Sequence, residues 1–171
     1  MSRDPYADLP QVGSFSVTST DLTDGAELAK PQLSGIFGAG GEDVSPQLEW
    51  SGFPEGTKSF AVTCYDPDAP TGSGFWPWTV ANIPAEVTEL AEGGPMPAGA
   101  VEGRTDFGEP GFGGAAPPQG HGPHRYIFTV FAVDVDSLPV TPEDSGAKYG
   151  FNLHFHTLAG ASITGIYENK G

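Results

Sequence analysis

The sequence predicts an all-β protein, a sandwich or a barrel built from short strands. Three observations support this class. Runs of alternating apolar and polar residues recur at short spacing, tight-turn sequences separate them, and 25 Gly and 17 Pro leave little room for long helices. The 171 residues fit one domain over 1–171, in which residues 1–12 are expected to form an extended N-terminal segment.

Six segments have the character of strands, and turn sequences such as FPEGT, PTGSG and EPGFGG lie between them. In the first segment, Phe15 and Val17 alternate with hydroxyl residues. From Tyr126 to Val135 both alternating sets are apolar, which is typical of a central strand covered on both faces. The six segments, in chain order, are SFSVTST, PQLEW, SFAVTCYD, FWPWTVANIP, HRYIFTVFAVDV and ASITGIYE.

A few short helices are expected, only near the C-terminus. Thr141 followed by Pro142 has the pattern of an N-cap and a first helical residue, and the acids after them suit the helix dipole. A second short helix is expected to start near Asn152 and to run through LHFHTLAGA.

Charge and cysteine content restrict the partners and the compartment. The net charge of −15, from 22 Asp and Glu against 7 Lys and Arg, argues against nucleic acid and anionic membrane surfaces as partners. No apolar run is long enough to span a membrane, and the N-terminus has no signal-peptide core. A single cysteine, Cys64, allows no intrachain disulfide and is expected to be an inert core thiol. We therefore expect a cytoplasmic protein, with a mature secreted chain as the alternative.

Several common catalytic and metal motifs are missing from the sequence. GAGGED and GFGGAAPP are not followed by Gly-Lys-Ser/Thr, and no Gly-x-Ser-x-Gly occurs. His154 and His156 would chelate a metal from a strand, but on the expected helix residues two apart face different directions. Asp66 and Asp68 lack the further oxygen ligands of a calcium loop. The sequence thus predicts neither a metal nor a cofactor.

Two places carry polar residues on a face that should be buried. Asp66 has the same parity as Phe60 and Cys64, so it continues the core face of its strand. His124 and Tyr126 share one parity at the start of the central strand, which directs an imidazole and a phenol toward a common point. Each feature alone has an ordinary structural explanation, but together they suggest a site.

The same pieces carry a family resemblance. The chain resembles the phosphatidylethanolamine-binding protein family, in its bacterial YbhB/YbcL, Raf kinase inhibitor-like branch. The resemblance runs from about Gly13 onward and rests on SPQLEWSGFPEGTKSFAVTCYDPDAPTGSGFW, WTVANIP, GRTDFG, GAAPPQGHGPHRYIFTVFAVD and GFNLHFHTLAGASITGIYE. It implies a β-sandwich with Greek-key connections and a small pocket for phosphate, acetate or a phosphorylated head group.

The resemblance also implies the residues of that pocket and the partners of the protein. Because Asp66 and Asp68 would lie close together and partly desolvated, one of them is expected to hold a shared proton. A kinase or protease as protein partner, and a homodimer, are further expectations. Trp76 or Phe75 is expected at the rim, and the implied ligand-binding residues are Asp66, Asp68, Pro70, Trp76, Pro77, Ala116, His124 and Tyr126.

One position departs from the family pattern. Where relatives have a histidine that donates to the anion, this chain has Pro77, which offers neither a side-chain donor nor a backbone N–H. Anion binding is therefore expected to be weak, and His121 is a candidate for a partial replacement. The leading prediction is a non-enzymatic binding protein. The alternative is a hydrolase or esterase that uses His124 with Asp66 or Asp68 as acid and base, for which Ser45 and Ser73 are poor nucleophile candidates.

Overall fold

The computed structural model describes residues 3–171 and contains nine strands and one α-helix within that range. A short 3-10 turn, Lys30–Gln32, precedes the third strand. The elements, in chain order, are β1 (Gly13–Ser14), β2 (Ser16–Thr18), β3 (Leu48–Ser51), β4 (Ser59–Asp66), β5 (Phe75–Pro84), β6 (Glu89–Leu90), β7 (Val101–Glu102), β8 (His124–Val133), α1 (Gly146–His156) and β9 (Thr157–Tyr167).

The strands form two sheets that pack as a sandwich, which confirms the predicted fold class. The larger sheet has the order β1-β9-β8-β4-β5-β7, and the smaller one has the order β2-β3-β6. After the β4–β5 pair, a long connection brings β8 back beside β4, as in Greek-key folds. Phe60 and Val62 of β4 pack with Trp50 of β3 in the main core. Burial of these alternate residues explains why one parity of β4 is apolar.

Strand β8 is covered on both faces, as its sequence predicts. It lies between β9 and β4, and most of its residues are buried. Phe128 and Val130 contribute to the core between the sheets. On the opposite face, Val133 packs with Tyr149 and Leu153 of α1 in a second apolar cluster. The larger sheet is therefore the central layer of the molecule.

Strand β5 contains an irregularity at Pro77. Cys64 pairs with Trp78 and Asp66 pairs with Phe75. Between these pairs β5 has two residues, Trp76 and Pro77, where β4 has only Tyr65. A bulge tolerates proline because the residue without a ladder partner needs no N–H. The Pro77 carbonyl accepts a hydrogen bond from the Gly113 N–H at 2.9 Å, which ties this bulge to the following loop.

The C-terminal helices predicted from the sequence are wrong in position. Thr141 begins a turn in which Asp144 accepts from its backbone N–H at 2.8 Å, and the helix begins five residues later, at Gly146. Its N-cap is Ser145, whose hydroxyl accepts from the Lys148 N–H at 3.3 Å. The helix expected from Asn152 through LHFHTLAGA ends at His156, because the next residues pair with β8 over the length of β9.

The N-terminal segment turns rather than running extended. Residues 1 and 2 of the predicted extended segment 1–12 lie outside the described residues. Backbone hydrogen bonds from Ala7 to Asp4 and from Leu9 to Tyr6 close two turns. The Tyr6 hydroxyl is buried, beside Thr63 and Thr129, on the outer face of the larger sheet.

Candidate functional site

The candidate site lies where β4 ends and β8 begins. Asp66, the last residue of β4, is 3% exposed and continues the buried face of Phe60, Val62 and Cys64. His124, the first residue of β8, is 1% exposed. The inward parity predicted for both residues is thus confirmed. Their backbones belong to adjacent antiparallel strands, so the two side chains meet at one end of the sandwich.

Asp66 and His124 form a buried, hydrogen-bonded pair. The Asp66 Oδ2 atom is 2.7 Å from the His124 Nδ1 atom. The other oxygen, Oδ1, accepts from the Asp68 N–H at 2.8 Å, which folds the Asp-Pro-Asp sequence into a turn. Burial raises the pKa of the Asp66 carboxyl, and the hydrogen bond and charge of His124 oppose that shift. Both oxygens of this carboxyl are therefore engaged within the protein.

Tyr126 completes the buried group. Its ring lies nearly parallel to that of His124, with 6.5 Å between the ring centroids. Its hydroxyl lies against the Asp66 carboxyl and the backbone N–H of Ala116. Burial, followed by the nearby Asp66 charge, raises the pKa of Tyr126 far above its ordinary range. The phenol thus stays neutral and can donate a hydrogen bond to a carboxylate or to an anion.

Asp68 has a different partner, which the sequence did not reveal. The Arg125 Nε and Nη2 atoms donate to its two oxygens at 2.9 Å each, and the Arg125 backbone N–H donates to Oδ2 at 2.9 Å. These hydrogen bonds lower the pKa of Asp68 below its ordinary value. The expected proton sharing between Asp66 and Asp68 is therefore wrong, because the Asp68 oxygens accept from Arg125 while Asp66 Oδ2 bonds to His124.

The remaining predicted residues lie around this group to different degrees. The backbone N–H of Ala116 lies near the Tyr126 hydroxyl, as described above. Pro77 is buried in the bulge of β5, whereas Pro70 is exposed. Trp76 packs against Tyr65, with 4.3 Å between ring centroids, on the face that α1 covers. Of the two rim candidates, Phe75 is the one that pairs directly with Asp66.

His121 extends the site to the surface. Its Nδ1 atom is 2.6 Å from the Nε2 atom of His124, and the two rings meet edge to face. His121 is exposed, in a loop tied to the C-terminal segment by a hydrogen bond from the Gly120 N–H to the Asn169 carbonyl. In the sequence, only the short spacing of His121 and His124 around Gly-Pro indicated that the two could meet. Whether their rings are in contact depends on the conformation of the loop.

The two described cavities lie elsewhere, and neither is lined by Asp66, His124 or Tyr126. The larger cavity, about 550 Å³, borders Pro123 and the C-terminal residues 166–171. A smaller cavity of about 250 Å³ lies between Asp43, Glu102 and Phe112. His121, which is exposed and contacts His124, is the part of the site that reaches the surface.

The two histidines of the second motif face different partners. His154 contacts the ring of Phe155, while His156 faces Asp134 at 2.8 Å. Within residues 3–171, no group of three or more His, Cys, Asp or Glu side chains has an arrangement that could hold a metal ion.

Comparison with known proteins agrees with this fold. The family model of the phosphatidylethanolamine-binding proteins matches residues 18–168. The UPF0098 protein YbcL of Escherichia coli is 51% identical over 166 residues, which cover 94% of this chain and 91% of YbcL. The UPF0098 protein YbhB of the same organism is 51% identical over 159 residues, 90% of this chain and all of YbhB (100%). The crystal structure of Escherichia coli YbcL superposes with a TM-score of 0.88 and covers 91% of this chain and 99% of that chain.

The chain therefore belongs to the phosphatidylethanolamine-binding protein family. More distant structures share the fold: a homologue from Chlamydia trachomatis, 28% identical, superposes with a TM-score of 0.78 over 92% of this chain and 99% of that chain. Neither YbcL nor YbhB bears the name of an enzyme. Across residues 3–171, no helix has the length and apolar character needed to cross a membrane.

Proposed function

We propose that this protein is a non-enzymatic, cytoplasmic binding protein whose site takes a small anion or a phosphorylated head group. The observation that carries the proposal is the buried group of His124, Asp66 and Tyr126 at the end of the sandwich. Burying an ionisable side chain costs free energy unless the side chain is paired and hydrogen-bonded. Ionisable side chains with perturbed pKa values cluster at functional sites. Family membership supports the same assignment.

The chemistry of the group suits an anion. The Tyr126 phenol, the Ala116 N–H and the His124 imidazole are hydrogen-bond donors, and all three lie close to Asp66 at this end of the sandwich. An incoming oxyanion would meet polar groups that are already positioned, which lowers the cost of ordering a site. The rim at Phe75, which packs against Phe107 with 4.7 Å between centroids, supplies apolar contact for a head group.

Replacement of Tyr126 by phenylalanine tests this assignment. Tyr126→Phe removes one donor but keeps the ring, so binding of phosphate or phosphoethanolamine should weaken by about tenfold. Tyr149→Phe is the matched control, because Tyr149 is also fully buried but donates to the Thr141 carbonyl on the α1 side. Isothermal calorimetry on both variants measures the difference. Equal affinities in the two variants would place the anion elsewhere.

The position of Pro77 gives a second test. The proline provides no donor, so we expect wild-type affinity for phosphate to be in the millimolar range, on the order of −4 kcal/mol. Pro77→His should strengthen binding by about tenfold to a hundredfold, because a charge-assisted donor contributes roughly 1.5–3 kcal/mol. The bulge at this position leaves no ladder hydrogen bond to lose. Unchanged affinity in a folded variant would show that residue 77 does not face the anion.

Hydrolysis is the weaker candidate, for a structural reason. Both ring nitrogens of His124 are engaged, Nδ1 by Asp66 and Nε2 by His121, so neither is free to activate a nucleophile. Ser73 is exposed, and its carbonyl accepts from Tyr65. Ester or phosphate hydrolysis that disappears in His124→Ala would favour the enzyme. The kinase or protease partner and the homodimer expected from the resemblance stay predictions.

A further inference from the structure

Three side chains form a continuous hydrogen-bonded chain from the core to the surface. The Asp66 Oδ2 atom is 2.7 Å from His124 Nδ1, and His124 Nε2 is 2.6 Å from His121 Nδ1. Asp66 and His124 are buried, while His121 is exposed. The only end of this chain that meets solvent is therefore the His121 ring, whose Nε2 atom lies beyond the contact with His124.

The positions of the protons follow from the hydrogen bonds. An ionised Asp66 accepts from the Nδ1–H of His124, which leaves a lone pair on Nε2 of the neutral ring. The 2.6 Å contact then requires His121 to donate from Nδ1, so its own Nε2 carries a lone pair toward the surface. Two fully protonated rings cannot make this contact, since both facing nitrogens would carry hydrogens.

We propose that Asp66, His124 and His121 form a proton wire that couples anion binding to the uptake of one proton from solvent. A proton joins Nε2 of His121, the Nδ1 proton of His121 moves to Nε2 of His124, and the Nδ1 proton of His124 moves to Oδ2 of Asp66. Both rings are then neutral and Asp66 is protonated. The Asp66–His124 and His124–His121 hydrogen bonds persist, with donor and acceptor exchanged in each. This inference rests on the proposed function, because it assigns a role to the same site.

Proton transfer along the wire prepares the site for an anion in two ways. It removes the buried negative charge of Asp66, which would repel an anion, and it converts Nε2 of His121 into an outward-facing donor. That donor supplies the hydrogen bond that Pro77 cannot provide. Burial raises the pKa of Asp66, so a proton delivered there is held more firmly than on an exposed carboxyl.

Protonation of Asp66 is the main change of charge at the site, because the neighbouring groups are either paired or neutral. Asp68 is neutralised by Arg125 through paired hydrogen bonds. Burial keeps the pKa of Cys64 and of Tyr126 above their ordinary ranges, so both remain neutral. The titratable and charged groups next to Asp66 and His124 are Cys64, Tyr65, Asp68, Arg125, Tyr126 and Tyr167. Glu168 and Lys170 follow Tyr167 and line the larger cavity with Pro123.

Calorimetry with sulfate tests the coupling, because sulfate does not take up protons near neutral pH. Titrations at about pH 7.5 in two buffers with different ionisation enthalpies give the number of protons absorbed per anion. Wild type should absorb about one proton. His121→Gln keeps a polar side chain but cannot relay a proton, so uptake should vanish and affinity should fall by about tenfold. The matched control, His154→Gln, removes an exposed imidazole on α1 and should behave as wild type.

The outcomes separate the wire from the function. Sulfate binding to wild type without proton uptake, or equal uptake in His121→Gln, would overturn the wire and leave the proposed anion site standing. No binding of sulfate, phosphate or phosphoethanolamine to wild type would overturn the proposed function and the coupling with it. In that case, nitrogen NMR of the imidazole rings still decides the proton positions. A bare Nδ1 on His121 in the neutral, unliganded protein would contradict the wire itself.

Discussion

Strand β8 carries a histidine–aspartate pair at each end, and the two pairs differ only in their surroundings. At its start, His124 lies 2.7 Å from Asp66, with side-chain exposures of 1% and 5%. Just past its end, Asp134 lies 2.8 Å from His156, with exposures of 42% and 36%. The residue types are the same and the distances differ by 0.1 Å, so burial is the first difference between a candidate binding group and a surface contact.

The two pairs also have different structural tasks. The His156 carbonyl accepts from the Asp134 N–H at 3.0 Å, so the outer pair fastens the end of α1 to the end of β8. The inner pair has no such backbone bond between its members, and its imidazole continues to a second histidine. A charged pair taken out of water stabilises little on its own account. Its presence in the core is therefore better explained by ligand chemistry than by stability.

The largest expected difference between the pairs is in the cost of breaking them. Asp66→Ala leaves the buried imidazole of His124 without its partner, which should lower the free energy of unfolding by about 3–5 kcal/mol. Asp134→Ala, the matched change in the outer pair, should cost less than about 1 kcal/mol. Urea unfolding of both variants gives the comparison. Equal losses would mean that the inner pair is as well solvated as the outer one.

A smaller effect should distinguish Asp66 from its neighbour Asp68. The stability that the two carboxyls contribute should change in opposite directions with pH. The pKa of Asp68 is lowered by Arg125, so its ionised form contributes stability above the unfolded value of 3.8, and this is lost as pH falls through the folded value. The pKa of Asp66 is raised by burial, so its contribution is fully present below 3.8 and is lost as pH rises through the folded value.

Unfolding measured across the acidic range checks this sign. Asp68→Asn should cost about 1–2 kcal/mol at neutral pH and should reduce the loss of stability in acid. Asp66→Asn should instead remove a decline in stability that wild type shows as pH rises above about 4. Two variants with profiles of the same shape would show that the carboxyls titrate as one unit, which would restore the shared-proton hypothesis.

The difference between these carboxyls also shows which parts of the site were predictable. Strand parity placed Asp66, His124 and Tyr126 on one buried face, because alternation is a property of any regular strand. Asp68 lies in the turn after β4, where parity no longer applies, and its partner Arg125 is 57 residues away in sequence. The contact of His121 depends on the loop conformation set by Gly120 and Asn169, for which the sequence has no periodic signal.

The fold also has parts that the sequence predicts and parts that it does not. The bounds of β4 and β5 agree with the predicted segments, because Gly and Pro turns flank strongly apolar runs. The end of α1 was predicted wrongly, since LHFHTLAGA suits a helix by composition and only pairing can decide otherwise. Thr157 pairs with Val133 and Ala159 with Ala132, and this long-range ladder converts the second half of the segment into β9.

The smallest expected effect concerns the outer pair alone. His156 lies in the last turn of α1, where a positive charge interacts favourably with the helix dipole as well as with Asp134. His156→Gln keeps a hydrogen-bond donor but removes the charge, so it should lower the free energy of unfolding by about 0.3–1 kcal/mol at low salt and slightly acidic pH. The difference should shrink as salt is added, because exposed charges are screened. Thermal unfolding of wild type and variant at low and high ionic strength measures it, with His154→Gln as the control for an exposed histidine in the same helix turn. A loss that is large and insensitive to salt would show that the outer pair is screened from solvent, and the contrast between the two ends of β8 would then have to rest on something other than burial.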